Sequence, residues 1–294
     1  MKIWSNKLKR IFLAIVLSCW SSAACAGDPF RSTNPHDIDA QTEAAFNILF
    51  SEGNYKQAKR VLEENNQVRD PLAHALRAAI GYTENDKETL RIYAQKTLVA
   101  AESLQGRDTL RGNLYTAVGH FLEGAYIFET EGAIPALLKL QKVLHYFDQA
   151  EKQDADDPEL NLIQGYMELL LAVNLPFANI EGAIANFQDN AAPNYLVYRG
   201  IAVAYRDLEK FDQALQFVHR AIQITPNNPE LYYLKGQILH GKGKQHKAMF
   251  LVKQAVQNFD RALADAEQLP ESILKPLRRE REIAQERVDG IRGW

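Results

Sequence analysis

Seven histidines, two cysteines and 37 carboxylates are the side chains of this 294-residue chain best suited to proton transfer, metal binding or nucleophilic attack. Both cysteines, Cys19 and Cys25, lie in the first 26 residues. From Gly27 onward there is therefore no disulfide, no thiolate metal ligand and no cysteine nucleophile. His120 and Glu123 form one H-x-x-E pair, a spacing that puts both on one helix face. A helical di-metal site needs several such pairs converging from different helices, so a lone pair reads as packing or solvation. His240 and His246 flank "GKGK", Gly241 to Lys244, which reads as a turn between helices. A phosphate loop would need a preceding strand and a following G-K-[ST]. The zinc-protease, nucleophile-elbow and dinucleotide patterns do not occur. The chain reads as non-catalytic, with no metal and no cofactor.

The first 26 residues have a different design. Lys2, Lys7, Lys9 and Arg10 precede an apolar run, Ile11 to Leu17, and a stretch of mostly small residues ending in Ala24-Cys25-Ala26. That order predicts a secretory signal peptide cleaved before Gly27, because the apolar run is too short to span a bilayer. The alternative is a lipoprotein anchored at Cys19 or Cys25, although Leu17 and Ser22 fit a lipid-attachment pattern poorly. The chain has 34 basic and 37 acidic residues, and the four basic ones ahead of Gly27 leave 30 against 37. This acidic balance argues against nucleic acid or an anionic membrane surface as the main partner.

What positions the remaining residues is a repeat. "PELNLIQG" at Pro158 returns seventy-one residues later as "PELYYLKG" at Pro229. Between them, Tyr198, Ile201, Ala202 and Tyr205 are followed by Ala214, Val218, Ala221 and Pro226. The small residues mark the close crossing of two antiparallel helices, and Pro226 stops the second, since it lacks an N–H and clashes with the preceding turn. One period of about 34 residues on, Tyr232, Gly236 and Leu239 pair with Ala248, Val252 and Ala255. Pro158, Gly165, Ala183 and Phe187 repeat the scheme earlier, stretched by "VNLPFAN", Val173 to Asn179. Gly53, Tyr55, Ala58 and Leu62 mark a first unit.

These spacings resemble the tetratricopeptide repeat family, most clearly over 194–260, with a degenerate middle over 70–152. The resemblance implies an all-α, right-handed superhelix of about six helix pairs over 38–268. Residues 27–37 would form a linker, and 269–294 a capping helix and tail. Within the middle, "NLYTAVGHFLEGAYIF", Asn113 to Phe128, carries Tyr115, His120, Phe121, Tyr126 and Phe128, and reads as repeat-to-repeat core rather than a ligand groove.

The resemblance also implies a protein or peptide partner on the inner face. Carried over by position, that face holds Leu162, Tyr166 and Leu169, then Arg199, Val203 and Arg206, then Tyr233, Gln237 and His240. The Lys and Asn clamp by which one subfamily holds a terminal carboxylate is missing from these places. More loosely, the chain resembles secreted repeat proteins of cyanobacteria. That implies a periplasmic or thylakoid-lumenal scaffold assisting assembly of an envelope or photosynthetic complex. The alternatives are a lipid-anchored envelope adaptor and, less favoured, an enzyme hidden in the aromatic middle.

Overall fold

The computed structural model of the protein describes residues 27–64, 69–174 and 180–294. The expected leader with Cys19 and Cys25 lies outside the described residues, as does most of "VNLPFAN". Among the described residues there are thirteen α-helices and no strand. α1 (Ala40–Phe50) pairs with α2 (Tyr55–Glu64), and α3 (Pro71–Thr83) with α4 (Lys87–Leu104). α5 (Thr109–Glu131) pairs with α6 (Ala133–Glu151), and α7 (Pro158–Asn174) with α8 (Ile180–Asn190). α9 (Asn194–Asp207) pairs with α10 (Phe211–Ile224), and α11 (Pro229–Gln245) with α12 (Met249–Ala264). A short 3-10 turn, Ala266–Gln268, leads to α13 (Glu271–Val288), which packs on α12 as a cap. No helix among the described residues is long and apolar enough to cross a membrane.

Local chemistry sets the helix starts. Asp39, Asp70, Asp86, Asp108 and Asn228 each cap a helix by accepting from a backbone N–H in its first turn. Pro158 and Pro229 open α7 and α11, where a missing N–H costs nothing. The Gly that closes each octapeptide makes room for an aromatic ring. A Cβ at Gly165 would overlap Phe187, and one at Gly236 would overlap Phe259, and both rings are fully buried. "GKGK" is not a turn: α11 continues through it to Gln245, and the reversal falls at His246 to Ala248. The glycines there serve packing, since a Cβ would stand 2.6 Å from the Phe211 ring at Gly241 and 2.8 Å from Val252 at Gly243.

In an open solenoid each repeat touches only its neighbours. Here the first pair also docks on the sixth. Tyr55 on α2 donates to Glu230 Oε1 at 3.1 Å, and Asn228 Nδ2 donates to the Phe50 carbonyl at 2.9 Å. Gly53 makes this approach possible: it has a φ of +69°, and a Cβ there would lie 2.7 Å from Asn228 Oδ1. Ser272, beside the start of α13, bonds the Thr83 carbonyl at the end of α3. The helix pairs therefore close on themselves.

The expected linker, residues 27–37, is packed against the helices, together with Ile38 and Asp39. They form an arm packed along the starts of α1, α5 and α7. Phe30 and Ile38 are buried, with Phe30 edge-on to Phe46 at 5.0 Å. Arg31 Nε donates to Asp157 Oδ2 at 2.7 Å and its Nη2 to Asp154 at 3.1 Å. His36 Nδ1 stands 2.8 Å from Asp28 Oδ2 and 3.6 Å from Glu159, and its Nε2 is 3.8 Å from Asp157. Beneath it, buried Arg111 donates to Glu159 at 2.9 Å and to both oxygens of Asp70 at 3.1 Å, while Tyr115 donates to Glu159 at 2.5 Å.

Burial opposes protonation of His36, as does Arg111, but the bond to Asp28 and the charges of Glu159 and Asp157 outweigh them and raise its pKa. The Asp28 carboxyl moves the complementary way: burial raises it, and bonds from His36 and Phe30 bring it below its usual value. A raised pKa means that His36 contributes stability in full below its unfolded value of 6.5 and loses it as pH rises through the folded value.

Two predictions follow from this packing. Gly236→Ala should lower stability by about 1–3 kcal/mol through overpacking on Phe259, read by urea unfolding. Gly236→Ala combined with Phe259→Leu should recover part of that loss, and no recovery would remove the ring from the explanation. Separately, the stability lost in His36→Gln relative to the wild type, read by urea unfolding, should be present at about pH 6 and shrink by about pH 8 as the imidazolium deprotonates. An unchanged pH dependence in the variant would show that the arm is not held by the imidazolium.

Candidate partner-binding site

The nine positions expected on the inner face divide by chemistry. Arg199 Nη2 donates to Glu230 Oε2 at 2.5 Å. Burial works against its charge, yet Glu230 and Tyr55 hold its pKa above the ordinary arginine value. Arg206 Nη1 donates to Gln237 Oε1 at 2.7 Å, and its Nε to Asp207 at 2.8 Å. The Tyr233 hydroxyl and the Gln237 amide both donate to Glu280 Oε1 on α13, at 2.8 and 3.1 Å. His240 Nε2 accepts from Arg287 Nη1 at 2.6 Å. Burial, then Arg287 and Lys244, push that imidazole down to about 4, so it is neutral at neutral pH and free to accept. The polar groups of the fifth and sixth units are thus bonded to one another, to α2 and to α13.

The apolar members come together elsewhere. Leu162 is buried in the core. Tyr166, Leu169 and Val203 line a cavity of about 420 Å³ between α5, α7 and α9. Val118, Phe121, Phe147, Ile163, Met167, Gly200 and Ala204 also line it, and Asp207 is the one charged residue among the described residues of its wall. The Tyr166 hydroxyl does not face a ligand role, since it donates to the Leu196 carbonyl at 2.7 Å. The cavity exists because α5 and α7 meet at their starts, through Arg111, Tyr115 and Glu159, and make few close approaches further along. The solenoid opens between its third and fourth units.

The aromatic run of α5 corresponds only in part to repeat-to-repeat core. Tyr115 is buried, whereas Phe121 is 48% and Phe128 56% exposed. Phe121 belongs to two cavities, the one above and a second of about 470 Å³ lined by Tyr82, Gly124, Phe128, Ala136, Leu137, Leu140 and Val143. From there the apolar surface continues onto α6, where Ile134, Leu137 and Leu138 are 81%, 61% and 71% exposed. A cue was present in the sequence. α6 carries a core stripe at Val143, Phe147 and Ala150 and a second apolar set at Ile134, Leu137, Leu138 and Leu144. A helix apolar on both faces has more to cover than one neighbour provides.

His120 Nδ1 lies 3.0 Å from Glu123 Oε2, which also accepts from Lys139 Nζ at 2.6 Å. Burial raises the Glu123 carboxyl, and the bonds with Lys139 and His120 bring it below its usual value. The H-x-x-E pair is therefore part of an α5–α6 ion pair. Among the described residues no group of three His, Cys, Asp or Glu is placed to hold a metal.

Two family models match the chain, one described as TPR repeat over residues 203–243 and one as tetratricopeptide repeat over 229–259. Both fall within the stretch whose spacing is most regular. No curated protein and no solved structure matches the chain. Repeats of this kind make protein–protein interaction scaffolds and are generally non-catalytic. The matched residues run from the end of α9 into α12, so this stretch is built of tetratricopeptide repeats, and the same all-helical pairing continues ahead of it.

Proposed function

We propose that this protein is an exported, non-catalytic scaffold that seats an apolar segment of a partner protein in the cavity between α5, α7 and α9. The observation that carries this reading is the cavity itself: about 420 Å³, walled by Val118, Phe121, Ile163, Met167 and Val203, with one charged residue among the described residues of its wall. Such a groove suits a partner's helix presenting apolar residues at i, i+3 and i+4. It does not suit a terminal carboxylate, for which the described residues of the wall offer no cation. Exposed apolar area continuous with a groove is a common mark of a protein-binding surface, and here it runs over Phe121 to Phe128 and Leu137.

Export is read from the first 26 residues, and it places the scaffold in a periplasm or, in a cyanobacterium, a thylakoid lumen. Assembly of an envelope or photosynthetic complex is the role in keeping with that location. The arginines of the inner face are not the contact residues in this reading, because Arg199 and Arg206 already have partners within the chain.

A photo-crosslinking amino acid in place of Val203 should capture the partner in cells, and one in place of exposed Lys253 on α12 should not. Val203→Glu, with its fold at the assay temperature checked by circular dichroism, should weaken binding of the captured partner by about tenfold or more, at least 1.4 kcal/mol. Equal adducts from positions 203 and 253, or undiminished binding by Val203→Glu, would sink the groove as the binding site.

A further inference from the structure

We propose that the bond between Ala26 and Gly27 is the processing site, and that the α-ammonium freed at Gly27 is captured by the Glu43 carboxylate as part of the fold. This rests on the reading of the chain as an exported protein. The backbone nitrogen of Gly27 donates to Glu43 Oε2 on α1 at 2.8 Å, in a partly buried setting. The residues that follow are committed at once. Asp28 is buried and accepts from the Phe30 and His36 amides at 2.8 and 2.9 Å, and Phe30 sits in the core. Gly27 is also the residue that the small-x-small pattern Ala24-Cys25-Ala26 marks as the new terminus.

The chemistry gives Glu43 a purpose that an intact chain lacks. In the uncut chain the Gly27 nitrogen is an amide with one neutral N–H. A leader peptidase adds water across the bond: the hydroxyl goes to the Ala26 carbonyl carbon, and Gly27 nitrogen leaves as an amine. Below pH ~8 that amine takes a further proton and becomes an ammonium with three donors and a full charge. A charge-assisted bond to a carboxylate is roughly twice as strong as a neutral one. Cutting the leader thus changes a neutral hydrogen bond into an ion pair at the first residue of the arm. Glycine suits the position, since a Cβ there would stand 2.7 Å from Glu43 Oε1 and push the carboxylate away. The arm that this pair secures is the one whose Arg31 and His36 lock onto the start of α7.

An ammonium whose pKa is raised by its carboxylate stabilises the fold fully below about pH 7.7 and loses that effect as pH rises through the raised value. The test uses the exported protein purified from its host, with its intact mass and N-terminal sequence determined first. Urea unfolding then compares the wild type with Glu43→Gln at pH 6.5 and 9.5. His36 is common to both proteins and cancels in the difference. The expected result is a free Gly27 terminus and a folding constant about two- to fivefold lower for Glu43→Gln at pH 6.5, with the gap closing at pH 9.5. An alanine inserted ahead of Gly27, cut at the same Ala26, should give the same pH-dependent loss with Glu43 intact. A free Gly27 with a gap independent of pH overturns the capture and leaves export standing. A lipid at Cys19 or Cys25 overturns the cleavage at Gly27 and the capture and leaves export standing, and a retained leader overturns both readings.

Discussion

Two buried glutamates fix how the helix pairs of this solenoid meet, and one of them closes it. Each octapeptide begins with Pro-Glu, and each Glu is turned inward against an arginine and a tyrosine hydroxyl: Glu159 with Arg111 and Tyr115, Glu230 with Arg199 and Tyr55. A carboxylate taken out of water demands such partners, because an unpaired one costs several kcal/mol. The partners come from a distance. Arg111 and Tyr115 belong to the preceding unit, and Tyr55 to the first, 175 residues from Glu230. Replacing a buried ion pair by apolar side chains of the same volume is often neutral, so the pairs are better understood as setting register. They decide which helix start receives the arm and which receives the α1–α2 turn.

Closure redistributes what the inner face can offer. Once Tyr55 and Glu230 hold Arg199, and α13 holds Tyr233, Gln237 and His240, the charged half of that face is internal structure. Salt bridges and amide bonds that are already made within the chain add little by being exchanged for others with a ligand. The apolar half is different, because among the described residues nothing covers Phe121, Phe128 or the outer side of α6. Burying that area at roughly 25 cal/mol per Å² is the largest gain left to a partner.

The sequence made the helix pairs legible and hid their closure. Local spacing carries the crossings: Gly165 under Phe187 and Gly236 under Phe259 stand where the repeat pattern places them. It also carries the helix starts, through Asp39, Asp70, Asp86 and Asp108. By contrast, nothing local to Glu159 and Glu230 marks them for deep burial, which depends on residues far away in the chain. The arm shows the same limit. Residues 27–37 have linker-like composition, with Ser32, Thr33, Asn34 and Pro35 at the centre. Phe30, Arg31 and His36 give it structure only because Phe46, Asp157 and Glu159 wait for them. Inner-face residues assigned by repeat position assume an open superhelix, so Leu162 and the arginines were bound to find other work in a closed one.

The place where the repeat is least regular is also where it is most able to bind. Regular units spend their apolar stripes on each other, as Ala202, Ala214, Val218 and Ile238 do, all fully buried. The third unit has helices of 23 and 19 residues, longer than its neighbours need. Its first helix is tied to the fourth unit at one end, by Arg111 and Tyr115 on Glu159, and the rest of its length cannot stack against a helix that diverges from it. The surplus length therefore ends as cavity wall at Val118 and Phe121 and as open surface at Phe128. The buried pair that fixes the start of α5 thereby also fixes where the groove opens. A binding surface made this way stands on a rigid support at one end and has room for a partner's side chains at the other.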